Sequence, residues 1–287
     1  MRPRVIAIDG PSGAGKGTVS RAVADALGFR YVDTGAMYRA VAWKALDAGI
    51  PLDDERAVRG LAESAVLDLS ATRVAVDGVD VTRLIRTPAI DQAAASVARL
   101  PLVRGVLVAR QRQMGAEGGV VMEGRDIGTV VFPEADVKVY LDASPDERAR
   151  RRAFDTAHTG VPAAVSEVAT LLTERDRLDA TRAVSPLYAA ADAALIDTTG
   201  RSVPDVVDEV LRLVRVKLSV APGAPAATRP SSSDSGSPRR TPGRVPIDGD
   251  RAWSARRPPA IPRCRGTPRP SPGRSLRPAR TRSSDRA

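Results

Sequence analysis

Apolar residues over the first 218 positions follow two alternating patterns. Val5 to Ile8 is an unbroken apolar run ending at Asp9, as a parallel strand buried on both faces requires. From Lys16 to Leu27 the apolar residues Val19, Val23, Ala26 and Leu27 recur at helical spacing. Phe29 to Val32 predicts a second strand, and a helix from about Ala36 to Ala48 is expected to stop at Gly49 and Pro51. "GVVMEG" and "DVKVYLDA" predict further strands, each followed by a helix-forming stretch, and "AALIDTT" predicts a last strand before a helix over Val203 to Val216. Such alternation predicts an α/β fold of three layers, helices covering both faces of a central parallel sheet.

Residues 68–82, "DLSATRVAVDGVDVT", break the rhythm. Apolar and polar residues alternate there around Asp77-Gly78, a dipeptide suited to a tight hairpin turn. The segment reads as an insertion beside the main sheet. No solenoid repeat is present.

Charge changes the picture at the C-terminus. The 287 residues carry a formal net charge of +10, but 15 Arg against 4 Asp lie in 221–287. Of 44 basic and 34 acidic residues, 29 and 30 then remain in 1–220, which is close to neutral. The same tail holds 13 of the 23 prolines, and a segment such as "SSSDSGSPRRTPGR" has too little apolar surface to offset its ordering entropy. The expectation is one folded domain over 1–220 and a basic, disordered Pro/Arg/Ser-rich tail over 221–287. Weak nucleic-acid binding through the tail competes with the reading of a dispensable extension, which Trp253, isolated from other aromatics, favours. The one cysteine, Cys264, allows neither an intrachain disulfide nor a cysteine-rich metal site. "MRPRVIAIDG" is too short an apolar run for a signal core or a membrane span, so a cytoplasmic monomer without a membrane partner is expected.

The stretch "IDGPSGAGKGTVS" carries the first chemistry. Gly10, Gly15 and Lys16 fit G-x-x-x-x-G-K, with Gly17 next and Thr18 one place later than usual. Glycines at 10, 13 and 15 let successive N–H groups turn inward at a helix N-terminus, and Lys16 bridges the terminal phosphates of a nucleotide. Gly10, Ser12, Gly13, Ala14, Gly15, Lys16, Gly17 and Thr18 are therefore the candidate ATP-binding loop. "DTGAMYR" sets Thr34, Tyr38 and Arg39 at the start of the next helix, at the carboxyl edge where open α/β sheets bind ligands. "EGRDIGTVVFP" places Glu123, Arg125 and Asp126 at the end of another strand, where the Arg-Asp pair is either functional or a structural ion pair.

"DGPSGAGKGT", "DTGAMYR", "EGRDIGTVVFPEADVKVYLDAS", "ERARRR" and "RAVSPL", in this order and spacing, resemble bacterial cytidylate kinases, P-loop proteins of the nucleoside monophosphate kinase group. The resemblance spans about 3–218 and leaves out the tail. It implies an insert over about 57–100 that binds the monophosphate, a lid over about 148–182, and transfer of the γ-phosphate of ATP, with Mg²⁺, to CMP or dCMP. Arg39, Arg125 and Arg182 would grip the CMP phosphate, Arg104 and Asp126 would read the cytosine, and Arg175 and Asp179 would contact the ribose. Arg175, Asp179 and Arg182 have the spacing to share a helix face. The family's base-reading serine falls on Ala95, leaving Ser96 one place away as a substitute.

"DERARRR" puts Arg148, Arg151 and Arg152 at i, i+3 and i+4, with Arg150 turned to solvent. Beside a phosphate loop this reads as a lid over ATP, which makes Lys16, Arg148, Arg152 and Arg182 the candidate catalytic cations and Arg151 a further ATP contact. Thr18 and Asp126 are the candidates for organising Mg²⁺, mainly through water. Asp9 is expected to support the phosphate loop, Met37 and Trp43 to pack in the core, and His158 to sit in the lid without a catalytic role. The alternatives are another small-molecule kinase, which should lack the combined motifs, and a nucleotide-dependent RNA-binding protein governed by its tail.

Overall fold

The computed structural model describes residues 4–70, 72–155, 164–182 and 184–218. The expectations for the tail, for Trp253 and Cys264, and for His158 lie outside the described residues.

The main sheet has five parallel strands in the order β2 (Arg30–Asp33), β6 (Val120–Gly124), β1 (Val5–Asp9), β7 (Val137–Asp142) and β8 (Ala194–Asp197). β1 runs in the centre, with Ile8 paired to Glu123 on one side and to Val139 on the other. All five of its residues are buried, which is why its sequence is continuous rather than alternating. One face is closed by α1 (Lys16–Leu27) and α8 (Val203–Leu218), which pack Val19, Val23, Val210 and Val214 against Ile6, Ile8, Val139 and Leu141. The other is closed by α5 (Pro101–Gly115) and the turn after β6, through Val108, Ile127 and Val131.

The element after β6 differs from expectation. Instead of a full helix it is a π-helical turn, Ile127–Val131, with Val131 and Phe132 bonded five residues back. The buried Asp9 carboxylate accepts from the N–H of Ile127 at 2.8 Å and of Gly128 at 2.7 Å, and Pro133 stops further winding. Asp9 thus supports the loop that carries Arg125 and Asp126 rather than the phosphate loop that follows it in sequence.

The insertion is larger than one hairpin. β3 (Leu67–Leu69), β4 (Val74–Val76) and β5 (Val79–Asp80) form a separate three-stranded antiparallel sheet. Asp77 and Gly78 make the expected two-residue turn, with φ of 51° and 84°. Asp77 also accepts from Val66 N–H at 2.8 Å and pairs with Lys44, which fixes the turn to the neighbouring helix. Around this sheet stand α2 (Thr34–Asp47), α3 (Glu55–Ser64) and α4 (Pro88–Val97). α2 starts two residues earlier than its apolar pattern predicts, because Asp33 caps it by accepting from Ala36 N–H at 2.9 Å. Prolines 88 and 101 open α4 and α5, and Pro101 enforces the break between them. Met37 is buried with Val41 and Leu107, and Trp43 packs beside Ala40, so both are core residues as expected.

α6 (Pro145–Ala153) and α7 (Val165–Ala180) meet over their own small cluster of Ala149, Ala153, Val168 and Leu172. No single helix among the described residues is long and apolar enough to cross a membrane.

Candidate active site

The carboxyl ends of β1, β2, β6 and β8 open into a cleft of about 670 Å³. One wall is the loop between β1 and α1. Gly10 turns it away from β1 at φ 144°, so close to β7 that a Cβ would stand 2.0 Å from the Leu141 carbonyl oxygen. Gly10 is therefore a hinge behind the cleft and not part of its lining. Ser12, Gly13, Ala14, Gly15, Lys16, Gly17 and Thr18 do line it. Gly15, at the N-cap of α1, has no side chain to satisfy the first helical amides, which are left to an anion.

Lys16 is buried and its ammonium donates to the Pro11 carbonyl at 2.7 Å. Burial, with the Arg125 charge adding, pushes its pKa down to about 7. Glu123, also buried, is shifted the opposite way by desolvation and the nearby Asp33 charge, and accepts a short bond from the Tyr31 hydroxyl. Thr34 is tied to this strand end by donating to the Glu123 carbonyl at 2.7 Å.

The facing wall is built of arginines, each leaning on a carboxylate. Arg39 on α2 pairs with Asp33 at 2.8 Å. Arg104 on α5 is paired with Asp126, donates to Ala98 O at 3.4 Å, and lies 5.7 Å over the Tyr38 ring. Nε of Arg125 donates to Asp179 at 2.9 Å, and Nε of Arg182 donates to the Asp179 carbonyl at 3.2 Å. Nε of Arg39, Arg104 and Arg175 and Nη2 of Arg182 are buried N–H groups without a hydrogen-bond partner among the described residues.

Several expectations need correction. α7 ends at Ala180, so Arg182 does not share its face with Arg175 and Asp179, and reaches the cleft from the turn beyond it. Ser96 points outward and bonds back to Gln92 O at 3.3 Å, while Ala95 lines the cleft with Ala94 and Ala98. A helix presents adjacent positions about a quarter turn apart, so Ser96 cannot stand in for residue 95. Asp126 is committed to Arg104 rather than open to a metal ion. Arg148, unlike Arg151 and Arg152, does not line the cleft. It is buried behind the loop, donating to Ala143 O at 3.1 Å and Ser12 O at 3.2 Å and pairing with Asp176 at 2.5 Å. A Cβ on Gly13 would lie 2.8 Å from the Arg148 Cβ, so this arginine braces the loop from outside the cleft.

Arg151 and Arg152 do line the cleft. Arg151 is held by Glu147 at 2.8 Å and by the Thr198 hydroxyl at 2.9 Å, and Arg152 pairs with Asp91. Arg150, expected to turn to solvent, is 61% exposed but also borders the cleft. Asp91, Arg86, Glu147 and Thr198 were not marked by the sequence. Thr198 was findable, since it directly follows the last parallel strand at the ligand edge. Asp91 belongs to no glycine-rich or arginine-rich motif and gave no signal.

A nucleotide cradle on one wall and guanidinium groups on the other fit phosphoryl transfer between two anions, and the architecture is that of a P-loop kinase. The family model for cytidylate kinase matches residues 6–216. The chain belongs to that family. A cytidylate kinase of Desulfitobacterium hafniense (strain Y51) is 50% identical over 216 residues, 74% of this chain and 93% of its own length. Those of Solibacter usitatus (strain Ellin6076) and Pelotomaculum thermopropionicum (strain DSM 13744 / JCM 10971 / SI) are 46% and 50% identical, over 75% and 73% of this chain and 94% and 95% of their own lengths.

Proposed function

We propose that the protein transfers the γ-phosphoryl group of ATP to CMP or dCMP, giving ADP and CDP or dCDP. The observation that carries this reading is a phosphate cradle that shares one cleft with Arg39, Arg104, Arg125, Arg175 and Arg182. Guanidinium groups gathered on one wall repel one another, and an anion seated between them and the loop offsets that repulsion.

In this reading residues 12–18 with Arg151 and Arg152 hold the triphosphate. Arg39, Arg125 and Arg182 hold the acceptor phosphate, where the guanidinium fork matches phosphate oxygens. Arg104 and Asp126 present donors and an acceptor to the base edge, beside Tyr38, and Arg175 and Asp179 take the ribose. The acceptor insert covers about 57–100 and the lid about 148–182. An oxygen of the acceptor phosphate attacks the γ-phosphorus, and the bond from that phosphorus to the β–γ bridging oxygen breaks. The bridging oxygen leaves on ADP with the electron pair, and a fully ionised acceptor needs no general base. Lys16, Arg152 and Arg182 offset the repulsion between the two anions and the charge that develops at the leaving oxygen.

The described residues contain no cluster of three His, Cys, Asp or Glu side chains able to hold a metal ion. Mg²⁺ therefore fits as the companion of ATP, with the exposed Thr18 hydroxyl in the first turn of α1 as this chain's contribution. When bound it neutralises phosphate charge.

The test is ADP formation from Mg-ATP with CMP, dCMP, UMP, AMP and shikimate supplied separately. Rapid turnover confined to CMP and dCMP is expected. Slow hydrolysis alone, whatever the acceptor, overturns the reading.

A further inference from the structure

Asp91 stands on α4, on the insert side of the cleft, and meets both helices of the facing unit. Its Oδ1 lies 3.2 Å from Nη1 of Arg175 on α7, and its Oδ2 accepts a short bond from Nη2 of Arg152 on α6. The three side chains keep between 14% and 19% of their accessible surface, so solvent screens these pairs only weakly. Arg152 and Arg175 are near enough for each to feel the other's charge, and Arg39 also feels Asp91. Without the carboxylate, Arg152, Arg175 and Arg39 would lose the anion that offsets their mutual repulsion. α6 and α7 pack on their own apolar cluster, distinct from those of the sheet and of the insert.

We propose that Asp91 is a positioning residue that couples the two nucleotide subsites, holding one arginine from each lid helix against the acceptor insert. The proposal rests on the kinase reading for what these arginines serve. By favouring the closed arrangement before both nucleotides are in place, Asp91 lets each nucleotide find part of its site already assembled. An apparent affinity is the intrinsic one reduced by the fraction of competent protein. Loss of the carboxylate lowers that fraction, and saturating nucleotide restores it.

The experiment compares the full chain with Asp91→Asn, which keeps size and removes charge, and Asp91→Glu, which keeps charge. For Asp91→Asn the KM for CMP is expected to rise roughly tenfold while kcat stays within about twofold, with most of the loss recovered in Asp91→Glu. An unchanged KM, or a fall in kcat at constant KM such as partial misfolding would give, overturns the proposal. A second measurement does not depend on turnover. Spin labels on Arg59→Cys in α3 and Thr173→Cys in α7, in a Cys264→Ser background, report the separation of insert and lid without nucleotide. Asp91→Asn is expected to shift the distribution to longer distances, and identical distributions overturn the proposal. If the unmodified protein forms no ADP with CMP, the kinase reading fails and the distance measurement alone decides the role of Asp91.

Discussion

Nε of Arg125 donates to the Asp179 carboxylate at 2.9 Å, joining the end of β6 to the last turn of α7. Asp179 is buried and Arg125 half-buried, so the bond sets where the Arg125 guanidinium points and ties that setting to the turn bearing Arg182.

Arg182→Ala should act on the acceptor and spare the donor. Hydrogen bonds to charged groups are worth about 1.5–3 kcal/mol, so kcat/KM for CMP should fall about 10- to 100-fold. A binding titration should find ATP affinity nearly unchanged. Equal loss of ATP affinity would contradict the assignment of Arg182 to the acceptor.

Ala95→Ser places a hydroxyl on the cleft wall, near the Arg104 and Asp126 pair. One added neutral hydrogen bond shifts selectivity by about two- to tenfold, in favour of CMP over UMP. The ratio of kcat/KM for the two acceptors measures it, and an unmoved ratio removes residue 95 from base selection.

Nucleotide binding should take up a proton above neutral pH. The pKa of Lys16 falls from the usual 10.5 to about 7, chiefly by burial, so between those values the unfolded chain holds a proton that the folded site has lost. This lysine's contribution thus makes stability rise with pH across that window. A polyphosphate beside Nζ favours the charged form and draws the proton back. Calorimetric titration of ATP at about pH 8, in buffers of different ionisation enthalpy, should show net proton uptake. Proton release would reverse the argument, and no buffer dependence would remove it.

Two glycines should respond in opposite directions. Gly10→Ala forces a Cβ onto the Leu141 carbonyl at positive φ and should cost about 3 kcal/mol or more, because backbone on both sides has to move. Gly60→Ala, on the exposed side of α3 with nothing within 4 Å of the new methyl, should stabilise by about 0.5–1 kcal/mol. Denaturant midpoints of the two variants check the pair.

What the sequence made legible follows from local chemistry. The continuous apolar run of β1, the glycine spacing of the phosphate loop and the Asp77-Gly78 turn each depend on a few neighbouring residues, and each stands where the pattern put it. Errors arose where a distant group decides the outcome. Asp9 holds the turn at 127–131 from 118 positions away, which no periodicity reveals. Arg148 has the spacing of a cleft arginine, but close packing against Gly13 and pairing with Asp176 take it behind the loop. Ser96 had the right chemistry and the wrong helical angle. Asp91 matters only once α4 faces α6 and α7, a juxtaposition made by the tertiary fold.

The phosphate loop leaves β1 just after Asp9, and the loop bearing Arg125 leaves β6 just after Gly124, its hydrogen-bonded neighbour in the sheet. The roots of the two loops are the two ends of one rung of the ladder, about 4.8 Å apart, a spacing set by backbone hydrogen bonds rather than by side chains. The sheet thus serves as a fixed gauge for where the two loops begin. Motion elsewhere in the chain cannot alter that starting distance without breaking the ladder itself.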